Sequence, residues 1–520
     1  MGLPHQARPG ADFGCGETAV LWMGKRMIAA LLSCAILVSL AGCGQKPKEP
    51  EMVTSSGVLE LRENSPSEEP EVDYEPESPS ANEDLPLSPS SLAASSSQPE
   101  VSSSSQPAES SSGPASSAPS VVESSSSTVS SLAVSSSEPE KEPPQNNYQS
   151  TAVSGEVRAI WISYLDFNSL LKGRTQAQFT ANIQGAFDNI KEMGLNTVFV
   201  QVRPYGDALY DSDYFPWSHT ITGTEGVNPG YDPLAIMVKE AHARGLSIEA
   251  WINPYRVRHS GTTAALSSDN QAQKWLSAGS DSVVKTAVGI YYNPGSEEAR
   301  QLIVDGVKEI VANYNVDGIH FDDYFYPTTD ASFDSGTYAA YQNSGGTLSL
   351  ADWRRENVNI LVRQTYAAIK SINPSVKFGI SPQGNMSNNY NVQYSDVAKW
   401  ISTSGYVDYI CPQVYFGFQN STNPYDATVQ KFNGMITAPG VDLYVGLAPY
   451  KIGTEDTWAG EGKNEWINGE NILARMVGSA RKNGHYKGFA LYRYDSVFAP
   501  AAGVKAQVEA ELSNLMDVLN

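Results

Sequence analysis

From Thr151 to the C-terminus, short apolar runs alternate with longer segments that carry an apolar stripe at helical spacing. The runs predict eight strands: Val157–Ser163, Thr197–Val202, Ser247–Ile252, Gly318–Asp323, Val376–Ser381, Val407–Val414, Leu443–Ala448 and Gly488–Tyr494. Between them the spacing predicts helices over Gln176–Met193, Pro233–Arg244, Ser296–Tyr314, Leu350–Ile372, Ser395–Thr403, Tyr425–Gly434 and Gly469–Asn483, with Ala502–Leu519 last. Gly194, Gly245 and Gly484 stand where helices stop, and Pro374 closes the longest one. Strand–helix alternation of this kind is the mark of an α/β fold with a parallel sheet. Eight units in about 370 residues fit a (β/α)8 TIM barrel with long loops. A doubly wound sheet competes, but no strand is followed by a glycine-rich phosphate turn.

The longest irregular segments, 203–232, 253–295 and 324–349, each follow a strand rather than precede one. In a barrel that places all three at the C-terminal mouth, where such folds do their chemistry. The fourth strand enters the mouth as Asp317-Gly318-Ile319-His320-Phe321-Asp322-Asp323-Tyr324-Phe325-Tyr326-Pro327. Side chains on a strand alternate, so His320, Asp322 and Tyr324 share one face while Ile319, Phe321 and Asp323 take the other. Asp322 is the first choice for an essential carboxylate and Asp323 the second. They form a working pair only if the strand breaks between them. Asp166, Asp207, Glu249 and Asp495 are the other candidates for a partner.

The remaining strand ends supply Gln201, Arg203, Tyr205 and Asp207, then Trp251, Asn253, Tyr255 and Arg256, then Gln383, Gln413, Tyr415 and Tyr492. Alternation directs Gln201, Arg203, Glu249, Trp251 and Asn253 inwards. With His320 and Tyr324 they form a substrate-binding set of amides, cations and rings. Sugars call for that combination: planar donors and acceptors for hydroxyls, and aromatic faces for C–H surfaces.

Charge changes the picture at the N-terminal side. The formal net charge is −22, of which −14 falls in the segment 44–150 and only −9 in 151–520. Segment 44–150 is rich in Ser, Pro and Glu and buries too little apolar surface to repay ordering, so a long disordered linker is expected. Before it, Lys25-Arg26 and the apolar run Met27–Leu40 read as a secretory signal ending in Leu40-Ala41-Gly42-Cys43. That ending resembles a bacterial lipoprotein cleavage site, with Cys43 lipidated. The expected organisation is therefore a leader over 1–42, a lipidated Cys43 and linker over 43–150, and the barrel over 151–520. As a random coil the linker would span about 60 Å, enough to hold a domain off a membrane. Cys15 and Cys34 leave with the leader, so Cys411 has no partner for a disulfide. No Cys/His cluster has zinc spacing, no cofactor motif is present, and no basic stripe invites nucleic acid.

Several ordered motifs together resemble glycosyl-hydrolase-like family ten. They are Val157-Arg158-Ala159-Ile160-Trp161-Ile162, Asn196 through Pro204, Ala250-Trp251-Ile252-Asn253-Pro254-Tyr255-Arg256, Asp317 through Tyr324, and Cys411-Pro412-Gln413-Val414-Tyr415. The resemblance implies a (β/α)8 barrel, a lipid-anchored place in the bacterial cell envelope, and hydrolysis of glycan strands, including peptidoglycan freed of its peptides. A looser likeness to chitinase-type barrels puts His320, Asp322 and Tyr324 where those enzymes carry alternating acids ending in Glu, so their mechanism does not transfer directly. A noncatalytic carbohydrate-binding lipoprotein on the same barrel is the alternative. A deacetylase or other metal hydrolase is a third class, disfavoured by the scattered His residues.

Overall fold

A computed structural model describes residues 155–519 of the chain. The expected leader, the expected lipidation of Cys43 and the acidic segment 44–150 lie outside the described residues. Eleven strands run in chain order: β1 (Val157–Ile162), β2 (Thr197–Arg203), β3 (Ser247–Ile252), β4 (Arg256–His259), β5 (Val283–Thr286), β6 (Gly289–Tyr292), β7 (Gly318–Phe321), β8 (Lys377–Ile380), β9 (Tyr409–Ile410), β10 (Asp442–Leu447) and β11 (Tyr486–Leu491). Eight of them, β1–β3 and β7–β11, are parallel neighbours in sequence order and close on themselves through β11 and β1. Helices intervene at Gln176–Glu192, Pro233–Ala243, Glu297–Asn313, Leu350–Ile372, Val397–Ser402, Tyr425–Met435 and Ile472–Ala480, and Lys505–Leu519 follows the last strand. The fold is a (β/α)8 TIM barrel, as the alternation of patterns predicts.

Alternation along the strands sorts the apolar residues into two layers. Ile160, Val198, Val200, Ile248, Ala250, Ile319 and Phe321 face the helices, in one continuous outer core. Ala159, Trp161, Phe199, Trp251, Tyr409, Cys411, Tyr444 and Ala490 fill the barrel interior instead. Large interior rings need small residues opposite them. A Cβ on Gly379 would lie 1.9 Å from the Tyr409 ring, and one on Gly318 would lie 2.5 Å from the Glu249 carboxyl carbon. Local signals fix the helix starts: Thr175 and Gln178 form a capping box, and Ser296 and Ser349 accept from Ala299 N and Asp352 N.

Three departures from the sequence reading matter at the mouth. The strand expected over Val407–Val414 is regular only at Tyr409–Ile410, because Pro412 has no N–H to give the ladder; single bridges at Gln413 continue the pairing to Gln383 and Gly446. The fourth barrel strand stops at Phe321, ahead of both aspartates. The segment after β3, expected to be irregular, holds an antiparallel sheet in the order β4-β6-β5.

Candidate active site

The barrel interior beneath the mouth carries a connected polar chain. The Trp161 indole N–H donates to His320 Nε2 at 3.2 Å, with Ser381 Oγ at 3.2 Å from the same nitrogen. An indole can only donate, so His320 keeps its proton on Nδ1, which faces Tyr409 Oη at 2.7 Å. The Tyr409 hydroxyl in turn donates to Glu249 Oε2 at 2.6 Å. Burial drives His320 down to about 3 and Glu249 up to about 8, so both are neutral near pH 7. His320 is also stacked on Phe199 at 4.4 Å and is fully buried. It lies in the barrel interior, bonded to Trp161, Ser381 and Tyr409, below the strand end expected to offer it to a substrate.

Two residues further along, Asp322 rises to the mouth. Its Oδ2 accepts the Trp251 indole N–H at 3.0 Å, and Oδ1 has a long contact of 3.4 Å from Tyr324 N. Burial, reinforced by the neighbouring Asp323 charge, pushes the Asp322 carboxyl up to about 7, against the pull of Arg256. Asp323 sits differently. Gln413 Nε2 donates to its Oδ1 and Gln393 Nε2 to its Oδ2, both at 2.9 Å. Because the strand has ended, Asp323 turns towards the β9 strand end instead of the outer helices, and both carboxyls belong to the mouth.

Rings and one cation surround them. The Arg256 guanidinium lies 4.8 Å from the Tyr205 ring, 4.9 Å from Tyr324 and 5.6 Å from Tyr164, and its Nε donates to Pro204 O. Tyr415, Tyr450 and Tyr492 meet mutually at 5.7–6.0 Å between centroids, and Tyr492 also packs edge-on to Trp161. Tyr324 and Tyr450 are exposed. Gln201 Oε1 holds the Tyr164 backbone N–H at 3.0 Å, and Gln383 is bridged to Gln413 through the backbone. Tyr164, Tyr450 and Gln393 were not among the expected residues. Tyr450 follows the seventh barrel strand as Tyr415 follows the sixth, so the strand-end rule reaches it. Gln393 lies past a short helix and carries no such signal.

Other expected residues lie elsewhere. A register shift between Gln201 and Arg203 turns Arg203 outwards, where its guanidinium lies over Phe215 at 4.2 Å. Tyr255 is fully buried in the outer core against Phe325. Asn253 Oδ1 caps the turn by accepting from Arg256 N. Asp207 is buried with His219 Nδ1 at 2.6 Å and Arg258 Nη1 at 3.6 Å; burial alone would raise its carboxyl, but these partners hold it below the ordinary range. Asp207, His219 and Glu225 bring three potential ligand atoms within 4.8 Å of one another. Arg258 pairs with both Asp207 and Glu225, so its own guanidinium supplies positive charge to the cluster. A groove of about 820 Å³ walled by Trp275, Asp281, Glu297 and Gln301 shares no lining residue with the mouth.

The Glycosyl hydrolase-like 10 family is matched over residues 156–460, from β1 past β10, which is more than half of the chain. This chain belongs to that family. A glycosyl hydrolase of Bacillus subtilis, YngK, is 39% identical over 321 residues, covering 57% of this chain and 61% of that protein. The chain thus spans only about six tenths of the length of that relative. Glycosyl hydrolase DigH of Escherichia coli K12 is 36% identical over 352 residues, 60% of this chain and 76% of its own. Among solved structures, the PgaB (BpsB) glycoside hydrolase domain from Bordetella bronchiseptica overlays 69% of this chain and 99% of its own at 14% identity, with a TM-score of 0.45. That likeness is too loose to say anything of the site. Membership in the glycosyl hydrolase-like 10 family places Asp322, Asp323, Trp251, Arg256 and Gln413 inside the shared segment and Tyr492 beyond it.

Proposed function

We propose that this protein is a glycoside hydrolase of the bacterial envelope that cuts cell-wall glycan, peptide-free peptidoglycan strands in particular, while tethered through a lipid on Cys43. The observation that carries the reading is Asp322: a carboxyl with a pKa of about 7, at the C-terminal end of the fourth barrel strand, among rings and amides suited to sugar. Near neutral pH a substantial fraction of it holds a proton, as a general acid must in order to protonate a departing glycosidic oxygen. Arg256, held by three Tyr rings, limits how far the carboxyl rises. The glycosyl hydrolase names of the relatives support a glycan as the substrate class.

Purified protein incubated with peptide-free glycan strands should release reducing ends and shorter fragments by mass. Asp322→Asn should fold like the parent and lose about 10²–10⁴ in turnover, the usual worth of a general acid. Saturable glycan binding without fragments from the parent protein would instead mark a binding lipoprotein. For the tether, radiolabelled palmitate should enter the chain in cells and be absent after Cys43→Ala. Deleting residues 51–145 should leave purified activity intact and lower activity in cells.

A further inference from the structure

Glycosidases of the commonest kinds set two carboxyls across the scissile bond, about 5–5.5 Å apart for retention and about 6.5–9.5 Å for inversion. Each candidate for a carboxyl opposite Asp322 is committed elsewhere. Asp166 is fully buried, with Ser163 N and Oγ on Oδ2 and Arg493 Nη1 and Asp495 N on Oδ1. Asp495 pairs with Arg493 at 3.2 Å and interacts with Asp166. Asp207 sits in the Arg258 cluster. Glu249 is level with Gly318, four residues and roughly 13 Å below Asp322 along the strand direction. Of the acids at the described strand ends that leaves Asp323, which adjoins Asp322 in the chain. Two side chains leaving neighbouring Cα atoms about 3.8 Å apart approach a sugar from one side. They are poorly placed to straddle its anomeric carbon.

Resting on the reading of this protein as a glycan hydrolase, we infer that the missing nucleophile belongs to the substrate: the carbonyl oxygen of a 2-acetamido group on the sugar bound beside Asp322. Asp322 gives its proton to the departing glycosidic oxygen as the C1–O bond breaks, and the acetamido oxygen bonds to C1 to form an oxazolinium ring. Asp323, fixed by Gln393 and Gln413, accepts the acetamido N–H and steadies the positive charge that grows there. In the second half the Asp322 carboxylate takes a proton from water, the water oxygen bonds to C1, and the ring bond to C1 breaks to restore the acetamide. One water is consumed and configuration is retained. The substrate class is accordingly a polymer of 2-acetamido-2-deoxy sugars, and glycans with a 2-hydroxyl or a free 2-amine in that position are not cut.

The test uses the full chain and peptide-free glycan strands that have been de-N-acetylated and then re-acylated with acetyl, fluoroacetyl, difluoroacetyl or trifluoroacetyl groups. Fluorine weakens the carbonyl oxygen as a nucleophile, so turnover should fall with each fluorine added, and products should first appear with retained configuration by NMR. Asp323→Asn should cost about 10²–10³ in kcat, as loss of a preorganised charge does. Cleavage that is indifferent to fluorination, or products of inverted configuration, would overturn the inference and leave the hydrolase reading standing. No cleavage of any strand, re-acetylated ones included, would sink both.

Discussion

Asp322 and His320 stand two positions apart on one strand, yet burial moves their protons in opposite directions because the charged form is an anion in one and a cation in the other. Asp322 ends up protonated through the acid range and about half protonated near pH 7. If it is the acid, kcat/KM should decline above about pH 7, and a pH–rate profile of the purified protein checks this. Arg256 lowers the Asp322 carboxyl, so Arg256→Gln should move that decline to higher pH; a shift to lower pH would show that Arg256 does not act on it. At this scale the sequence was half informative. Alternation aims Asp322 and Trp251 inwards, and they meet at 3.0 Å. No pattern could reveal that Gln393, 70 residues away, holds Asp323, since that contact depends on how a loop returns to the mouth.

Secondary-structure elements follow the periodicity closely, and their exceptions have local causes. The period-2 pattern does not see where a ladder ends. At β7 the strand stops two residues early and so brings Asp323 into the mouth; at β2 a bulge sends Arg203 out of it. The β4-β6-β5 sheet leaves little trace in the sequence, because Val283 through Tyr292 shows no regular alternation of apolar and polar residues and the strands are only four residues long. Inward glycines are the elements' tightest constraint. Gly379→Ala would drive a methyl into the Tyr409 ring and should cost about 1–3 kcal/mol by overpacking. Urea unfolding of the described domain would measure this, and an unchanged midpoint would mean that Tyr409 moves aside freely.

For the molecule as a whole, Glu249 and Asp322 are carboxyls raised far enough to lower stability as pH rises, while His320, held down to about 3 by burial, acts in the opposite direction below about pH 6.5. Glu249 keeps its proton to about pH 8 in the folded state but releases it near 4.5 when unfolded, and Asp322 behaves likewise up to about 7. At these two carboxyls the folded state therefore binds more protons between about pH 4.5 and 8, and their contribution to stability falls as pH rises through that window. Glu249→Gln should flatten the fall and raise the thermal midpoint at pH 8 relative to the parent. A Glu249→Gln midpoint no higher than the parent's at pH 8 would contradict the placement of Glu249. The eight-unit barrel could be read from the chain because each unit repeats one pattern, whereas the convergence of its strand ends on one mouth is a property only of the closed ring. The most direct measurement is a crystal structure of Asp322→Asn with a bound oligosaccharide from peptide-free glycan. The account predicts a glycosidic oxygen within about 2.6–3.2 Å of the residue 322 amide, with the acetamido N–H of the adjoining sugar on Asp323; sugar lodged in the Trp275 groove, with the mouth empty, would contradict it.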